Sequence, residues 1–262
     1  MTDASSIRTT NRVLAALPFL EWRRLEPHLE LVELRPGAML YESGVVLQHV
    51  YFPATAVVSL VSSMQDGTSV EVAVVGNEGI VGVCAFMGGG QSLSRAVVQR
   101  PGHALRMTAR SIACHANRSE ALMQRLLCYT QALFTHMAQT SACNKHHALD
   151  QQLCRWLLLN LDRQSSDEIV VTHERIADML GVRREGVTGA ALKLQKAGLI
   201  QYRRGRISVL DRDGLEERSC ECYAVVRRAY DRLLGDTGSE RLASTGKTRE
   251  RTRPIALMPA TA

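Results

Sequence analysis

Residues 172–196 read THERIADMLGVRREGVTGAALKLQK, and this stretch decides the architecture. Thr172 is placed to cap a first helix, in which Ile176, Ala177 and Leu180 recur at helical spacing and supply one burial face. Gly181 then permits a turn. Beyond it, Val187, Ala191 and Leu194 mark the apolar stripe of a second helix, leaving Arg183, Arg184, Glu185 and Thr188 near its exposed N-terminal end. Two short helices about a glycine turn make a helix-turn-helix, a unit whose second helix enters the major groove of DNA by that end. Arginine suits the two acceptors on a guanine edge, and glutamate accepts from a cytosine amino group. Arg183, Arg184, Glu185 and Thr188 are therefore the expected base-reading residues.

The sequel, AGLIQYRRGRISVL, strengthens this reading. Two β-rich runs, Leu199 to Tyr202 and Ile207 to Leu210, flank the basic turn Arg203-Arg204-Gly205-Arg206, the pattern of a wing. Between 183 and 206 seven Lys or Arg face the single acid Glu185, a concentration that phosphate binding exploits. Thr172, Lys193, Arg203, Arg204 and Arg206 are the expected contacts to the DNA backbone.

The 262 residues suffice for one large domain or two ordinary ones, and 45% hydrophobic with 22% charged residues is the balance of a globular chain with a real core. A net charge of +6 fits a nucleic-acid partner without establishing one. No apolar run approaches the roughly 18 residues of a membrane span, and MTDASSIRTTNR at the N-terminus lacks the apolar core of a signal peptide. The expectation is a cytoplasmic protein with no membrane partner. Seven cysteines, an odd number scattered along the chain, argue against a disulfide framework. Ser94, Cys84 and the histidines sit in no nucleophile elbow or metal-ligand pattern, so the chain does not read as an enzyme.

Residues 8–30 read as short helices broken by Pro18 and Pro27. From about 31 to 108 the texture is short alternating or apolar runs divided by turn signals, which suggests a β jelly roll or barrel; Asp66-Gly67 is its strongest hairpin signal. From 108 the period turns helical. Over 118–143, Leu122, Leu126, Tyr129, Leu133 and His136 step by four and three, a coiled-coil-like seam expected to face a second copy of the chain. A parallel stripe, Met123, Leu127, Phe134 and Met137, widens the apolar face enough to pack on the chain's own barrel as well. Asn144 to His147 interrupt the pattern as a hinge, and an amphipathic helix follows through Leu149, Trp156 and Leu161. Residues 212–234 read as one more helix, and the polar, unperiodic sequence from 236 as a disordered tail. The fold class is α+β. The division is 1–108 jelly roll with N-terminal helices, 109–145 dimer helix, 146–212 winged helix-turn-helix, 213–235 C-terminal helix and 236–262 tail.

This order of elements resembles the Crp/Fnr family of bacterial transcription regulators. The resemblance covers roughly 12–212 and is carried by RPG at 35–37, YESG at 41–44, VYFP at 50–53, QDG at 65–67, VGNEGIVG at 75–82 and GVRREGV at 181–187. It implies a homodimer on a palindromic operator, with RNA polymerase as a further partner, in which the jelly roll senses a signal and two recognition helices enter successive major grooves. It places Arg184 and Glu185 on two base-reading positions of the family. The third falls on Gly189, where cyclic-AMP-responsive members carry arginine.

The candidate effector pocket departs from that pattern. Cyclic-AMP-binding members use a GELG-like turn whose glutamate holds the ribose, then an Arg-Ser pair whose arginine holds the phosphate. Here GIVG at 79–82 lacks the glutamate, and Ser94-Arg95 reverses the order. Gly79, Gly82, Ser94 and Arg95 are the candidate pocket residues, and strand alternation would aim Arg95 outward. The effector is thus expected to be other than cyclic AMP, or additional to it; the alternative keeps cyclic AMP as allosteric activator. The iron–sulfur branch of the family uses N-terminal cysteines, and none precedes Cys84 here. Haem ligands can be proposed at His49, Cys84, His103, His115 or His146-His147, none with confirming spacing. Cys220-Glu221-Cys222 is CxC without a second pair, and two steps along a helix would point its thiols about 200° apart. No cofactor and no metal site are expected.

Overall fold

The computed structural model describes residues 8–164 and 166–235. In chain order it forms α1 (Arg12–Ala15), α2 (Phe19–Leu25), a 3-10 turn at Glu26–His28, and β1 (Glu30–Leu34), β2 (Met39–Tyr41), β3 (His49–Pro53), β4 (Val57–Ser63), β5 (Ser69–Val75), β6 (Arg95–Arg100) and β7 (Gly102–Thr108). There follow α3 (Ala109–Arg118), α4 (Glu120–His146), α5 (Leu149–Leu161), β8 (Glu168–Val170), α6 (His173–Leu180), α7 (Arg184–Lys196), β9 (Ile200–Arg203), β10 (Arg206–Val209), α8 (Arg212–Arg218) and α9 (Glu221–Leu234). The tail from 236 and the first seven residues lie outside the described residues.

Two antiparallel sheets, in the orders β1-β7-β3 and β2-β6-β4-β5, form the jelly roll. Their inward residues, among them Val50, Phe52, Val58, Leu60, Val98, Leu105 and Met107, are buried in one continuous core. The Asp66-Gly67 signal makes the β4–β5 hairpin. Asp66 Oδ1 accepts from the Thr68 amide at 2.9 Å and its hydroxyl at 2.7 Å, and Gly67 takes φ +86°, a left-handed angle that costs glycine little.

Ser119 breaks the chain between α3 and α4 with an extended backbone, and its side chain accepts from the Leu122 amide at 3.2 Å. The 27-residue α4 then lies across the roll. Its expected dimer seam requires correction. Leu122, Leu126, Tyr129, Leu133 and His136 are all buried within the chain itself, with His136 Nδ1 3.4 Å from the Tyr230 hydroxyl of α9. Packing by α9 on one side and the roll on the other covers this seam, so it cannot meet a partner. Burial accordingly holds His136 well below the usual imidazole range, aided by Arg163 and Arg155. The parallel stripe is the one left to solvent: Leu127 and Phe134 are each 49% exposed, and Met123 and Met137 half-buried.

Two further differences matter. The single helix read over 212–234 is two, because Ser219 and Cys220 adopt extended ψ values of 161° and 163° between α8 and α9. And β8, three residues too short to show a period, adds an edge to the wing in a β8-β10-β9 sheet.

The C-terminal elements dock on the roll through polar anchors. Trp156 of α5 donates from Nε1 to Glu71 Oε1 of β5 at 2.9 Å, and the Ser59 hydroxyl of β4 donates to Glu71 Oε2 at 2.5 Å. Burial pushes the Glu71 carboxyl up to about 7, against the opposing pull of these two donors. Arg163 Nε donates to Glu78 Oε1 at 2.8 Å, both side chains being almost fully enclosed. Val70 of β5 lies against Gly181 in the turn between α6 and α7.

Candidate DNA interface and sensor cavity

The helix-turn-helix forms for the reasons its sequence suggests. The Thr172 side chain accepts from the Arg175 amide at 3.2 Å and caps α6, whose end is turned by Gly181 at φ +66°. Arg183 is the extended residue that opens α7, while Val187, Ala191 and Leu194 bury its inner face. Arg183, Arg184 and Glu185 are exposed at the N-terminal end. Thr188 is not: it is half-buried, its hydroxyl donates to the Arg184 carbonyl at 3.1 Å, and it lies 3.1 Å from His173 Nδ1. Its expected base-reading role is weakened by these internal contacts. Gly189 faces open space, whereas a Cβ on Gly186 would come within 2.8 Å of Leu149.

The wing closes through Arg204-Gly205, with φ of +46° and +77°, between the paired Arg203 and Arg206. Positive φ at both central residues is the two-residue hairpin turn that matches strand twist. Arginine in this region carries a strain of order 1 kcal/mol that a glycine would not, and it projects a cation from the tip. Arg203 and Arg204 are exposed, as is Lys193 in the last turn of α7. Arg206 differs: its Nη1 is held 2.5 Å from Glu168 Oε1 of β8, so a phosphate must compete with that carboxylate.

A group that sequence reasoning missed ties the wing to the helices. The His173 ring stacks on Tyr202 at 4.0 Å and 22°, and the Tyr202 amide donates to Gln195 Oε1 at 2.9 Å. Burial first, and Arg184 second, lower the basicity of His173, which favours a neutral ring in this stack. Its position as first residue of α6 was visible; its contact with residue 202 was not.

The second site is a cavity between the jelly roll and α4. Leu60, Ile80 and Val83 line it from the roll, Leu133, Phe134 and Met137 from the helix, and the polar groups on its wall are Tyr41, Gln91, Ser92, Ser94 and the Cys84 thiol. No charged residue is in that lining. Gly82 and Ser94 are in this lining, Gly82 at φ +103°, where a Cβ would come 3.1 Å from Val50 Cγ1. Gly79 and Arg95 are not. A Cβ on Gly79 would fall 2.1 Å from the Tyr129 ring, so its smallness serves core packing. Arg95 begins β6 opposite Val61 and reaches toward Ser69 of β5, Nη2 to Oγ 3.5 Å, because strand alternation sends it away from the side Ser94 faces. A phosphate clamp needs a fixed cation or a row of backbone amides. The cavity wall offers an apolar enclosure with hydroxyls, an amide and a thiol.

A β roll packed under a long helix, followed by a winged helix-turn-helix with an exposed cationic face, defines a class of DNA-binding regulators. Residues 31–113 match the model of the cyclic nucleotide-binding domain and residues 151–218 that of the Crp-like helix-turn-helix domain, together more than half of the chain. The chain belongs to the Crp/Fnr family of bacterial transcription regulators. Comparison with curated proteins gives no match. Solved structures share the fold at low identity. FixK2 from Bradyrhizobium japonicum superposes with a TM-score of 0.62 at 17% identity, over 73% of this chain and 98% of its own. TTHB099, a CRP-family regulator of Thermus thermophilus, gives 0.60 at 20%, over 72% and 96%. The c-di-GMP-responsive regulator CLP of Xanthomonas campestris gives 0.57 at 13%, over 73% and 99%. The family is one of transcription regulators and not of enzymes. Among the described residues no helix is long and apolar enough to cross a membrane.

Proposed function

We propose that the protein is a cytoplasmic, homodimeric, sequence-specific regulator whose jelly roll responds to an effector other than cyclic AMP. The observation that carries this reading is the uncharged lining of the cavity beneath α4. Its chemistry suits a small, largely apolar molecule with one or two hydrogen-bonding groups, such as an amphiphilic signal. Phe134 and Met137 connect input to output: both line the cavity and both belong to the stripe that α4 leaves partly open. A ligand that shifts them changes the surface on which a second copy packs, and so the spacing of the two recognition helices, which successive major grooves require at roughly 34–36 Å.

In this reading residues 1–108 form the sensor, 109–145 the dimer helix with Met123, Leu127, Phe134 and Met137 as contacts, 146–212 the winged helix-turn-helix and 213–235 a C-terminal brace. Arg183, Arg184 and Glu185 read base edges. Thr172, Lys193, Arg203 and Arg204 hold phosphates, Arg206 more weakly, and an open Gly189 leaves one base position unread.

Selection of duplex sites by the ligand-free protein, followed by anisotropy titration of the selected site with and without cyclic AMP, tests the reading. A palindromic site whose affinity is unchanged by cyclic AMP is the expected result. A site bound only with cyclic AMP would overturn the assignment of the effector, and failure to select any palindrome with or without added ligands would overturn the dimeric, sequence-specific role.

A further inference from the structure

Three of the seven cysteines meet a histidine at the joint between α4 and α9. Cys143 lies in the last turn of α4, and His147 follows four residues later as its C-cap, so both project from one side of the helix end. Cys220 and Cys222 arrive from the break between α8 and α9. Cys220 is the extended N-cap of α9 and not part of it, so the expected opposition of the two thiols does not occur. The four ligand atoms all lie within 4.8 Å of one another. Cys143 Sγ is 3.5 Å from Cys220 Sγ, and Cys222 Sγ is 3.5 Å from His147 Nδ1.

We propose that Cys143, His147, Cys220 and Cys222 form a Cys3His site for a thiophilic divalent cation of the zinc class, stapling the end of the long helix to the C-terminal helix. Around a tetrahedral zinc with bonds of about 2.3 Å to sulfur and 2.0–2.1 Å to nitrogen, neighbouring sulfurs stand about 3.8 Å apart and sulfur and nitrogen about 3.5 Å. The Cys143–Cys220 and Cys222–His147 separations are close to these values, and the other pairs lie within 4.8 Å. Two ion-independent observations support the assignment. The three cysteines pack as a cluster of their own, separate from the main apolar core that absorbs Cys154, so they do not serve as ordinary core residues. And the ring nitrogen of His147 opposite the cluster, Nε2, lies 3.3 Å from Glu221 Oε1, the carboxylate partner that orients a metal-bound imidazole. Four protein donors close the coordination shell, which makes the site structural or regulatory. It stands directly before α5 opens at Leu149, so a bound ion fixes the joint from which the DNA-binding elements hang. Binding displaces the thiol protons to solvent, and no redox change is involved.

The test uses the full chain purified in reductant. Metal content by mass spectrometry and optical absorption after exchange into Co2+ are expected to give one ion per chain and the red-visible bands of tetrahedral cobalt with a sulfur charge-transfer band. Cys222→Ser and His147→Ala should each lose that ion and that spectrum, Cys114→Ser, which is exposed and outside the cluster, should keep both, and Glu221→Gln should weaken zinc affinity about 10- to 100-fold. Circular dichroism checks the folding of each variant; Glu221, being on the surface, provides the reading should a cysteine variant fail to fold. Substoichiometric metal with all three thiols free to alkylating reagents, a Cys143–Cys220 disulfide formed in reductant, or a Co2+ spectrum unaltered by Glu221→Gln and Cys222→Ser alike, overturns the proposal.

Discussion

The two functional surfaces treat charge in opposite ways. The face built by α7 and the wing presents Arg183, Arg184, Arg203 and Arg204 to solvent, at the open ends of rigid elements. The cavity under α4 is lined without a single charge and is enclosed by residues from 41 to 137. A polyanion with a fixed geometry constrains the first surface to cations and a helix end, whatever signal the protein answers. The second surface carries no such constraint, and its lining here offers no cation to a phosphate.

The largest expected effect lies on the seam between the two. Glu71 belongs to the roll and accepts from Trp156 of the DNA-binding elements. Its carboxyl is raised to about 7 from the ordinary 4.5, so the folded protein keeps a proton that the unfolded chain releases. Stability from this group is fully present below about pH 4.5 and is lost as pH rises through about 7. Glu71→Gln, neutral throughout, should therefore gain on wild type between pH 5 and 8 by up to about 3 kcal/mol in urea unfolding. A difference that stays flat with pH means that Glu71 is ionised in the fold.

Next in size is Arg184→Ala, which should cost about 1–3 kcal/mol of operator affinity and relax discrimination at one symmetric position, while ligand binding in the cavity stays unchanged. Equal weakening on all sequences would make Arg184 a phosphate contact. Two glycines of α7 give a smaller, paired test. Gly189→Ala should stabilise by about 0.5–1 kcal/mol, since its Cβ meets open space, whereas Gly186→Ala should gain less or destabilise because of Leu149. Thermal melts of both variants decide it. The smallest effect is at the wing tip: Arg204→Ala should flatten the salt dependence of DNA binding by about one unit and leave site preference alone. An unchanged slope removes Arg204 from the interface.

What the sequence disclosed follows the range of the interactions involved. Thr172, Gly181 and the Val187-Ala191-Leu194 stripe act within a few residues of themselves, and Asp66-Gly67 and Arg204-Gly205 complete their turns locally, so these elements were legible. The dimer seam was misread because the stripe that periodicity makes most regular is the one Tyr230 and the roll cover, and helical spacing says nothing about which partner takes a face. Gly79 was assigned to a ligand because its contact, Tyr129, is fifty residues away. The cysteine cluster joins Cys143 to Cys220, 77 positions away, and depends on a helix break at Ser219 that no breaker residue announces.

Calorimetric titration of the purified protein with cyclic AMP, repeated on Arg95→Ala, tests the contrast between the two surfaces most directly. The uncharged cavity predicts no saturable heat up to about 1 mM ligand and no difference between the two proteins. Saturable binding near micromolar that Arg95→Ala abolishes would contradict it, by showing that Arg95 reaches a phosphate after all and that the sensor keeps the nucleotide chemistry of its family.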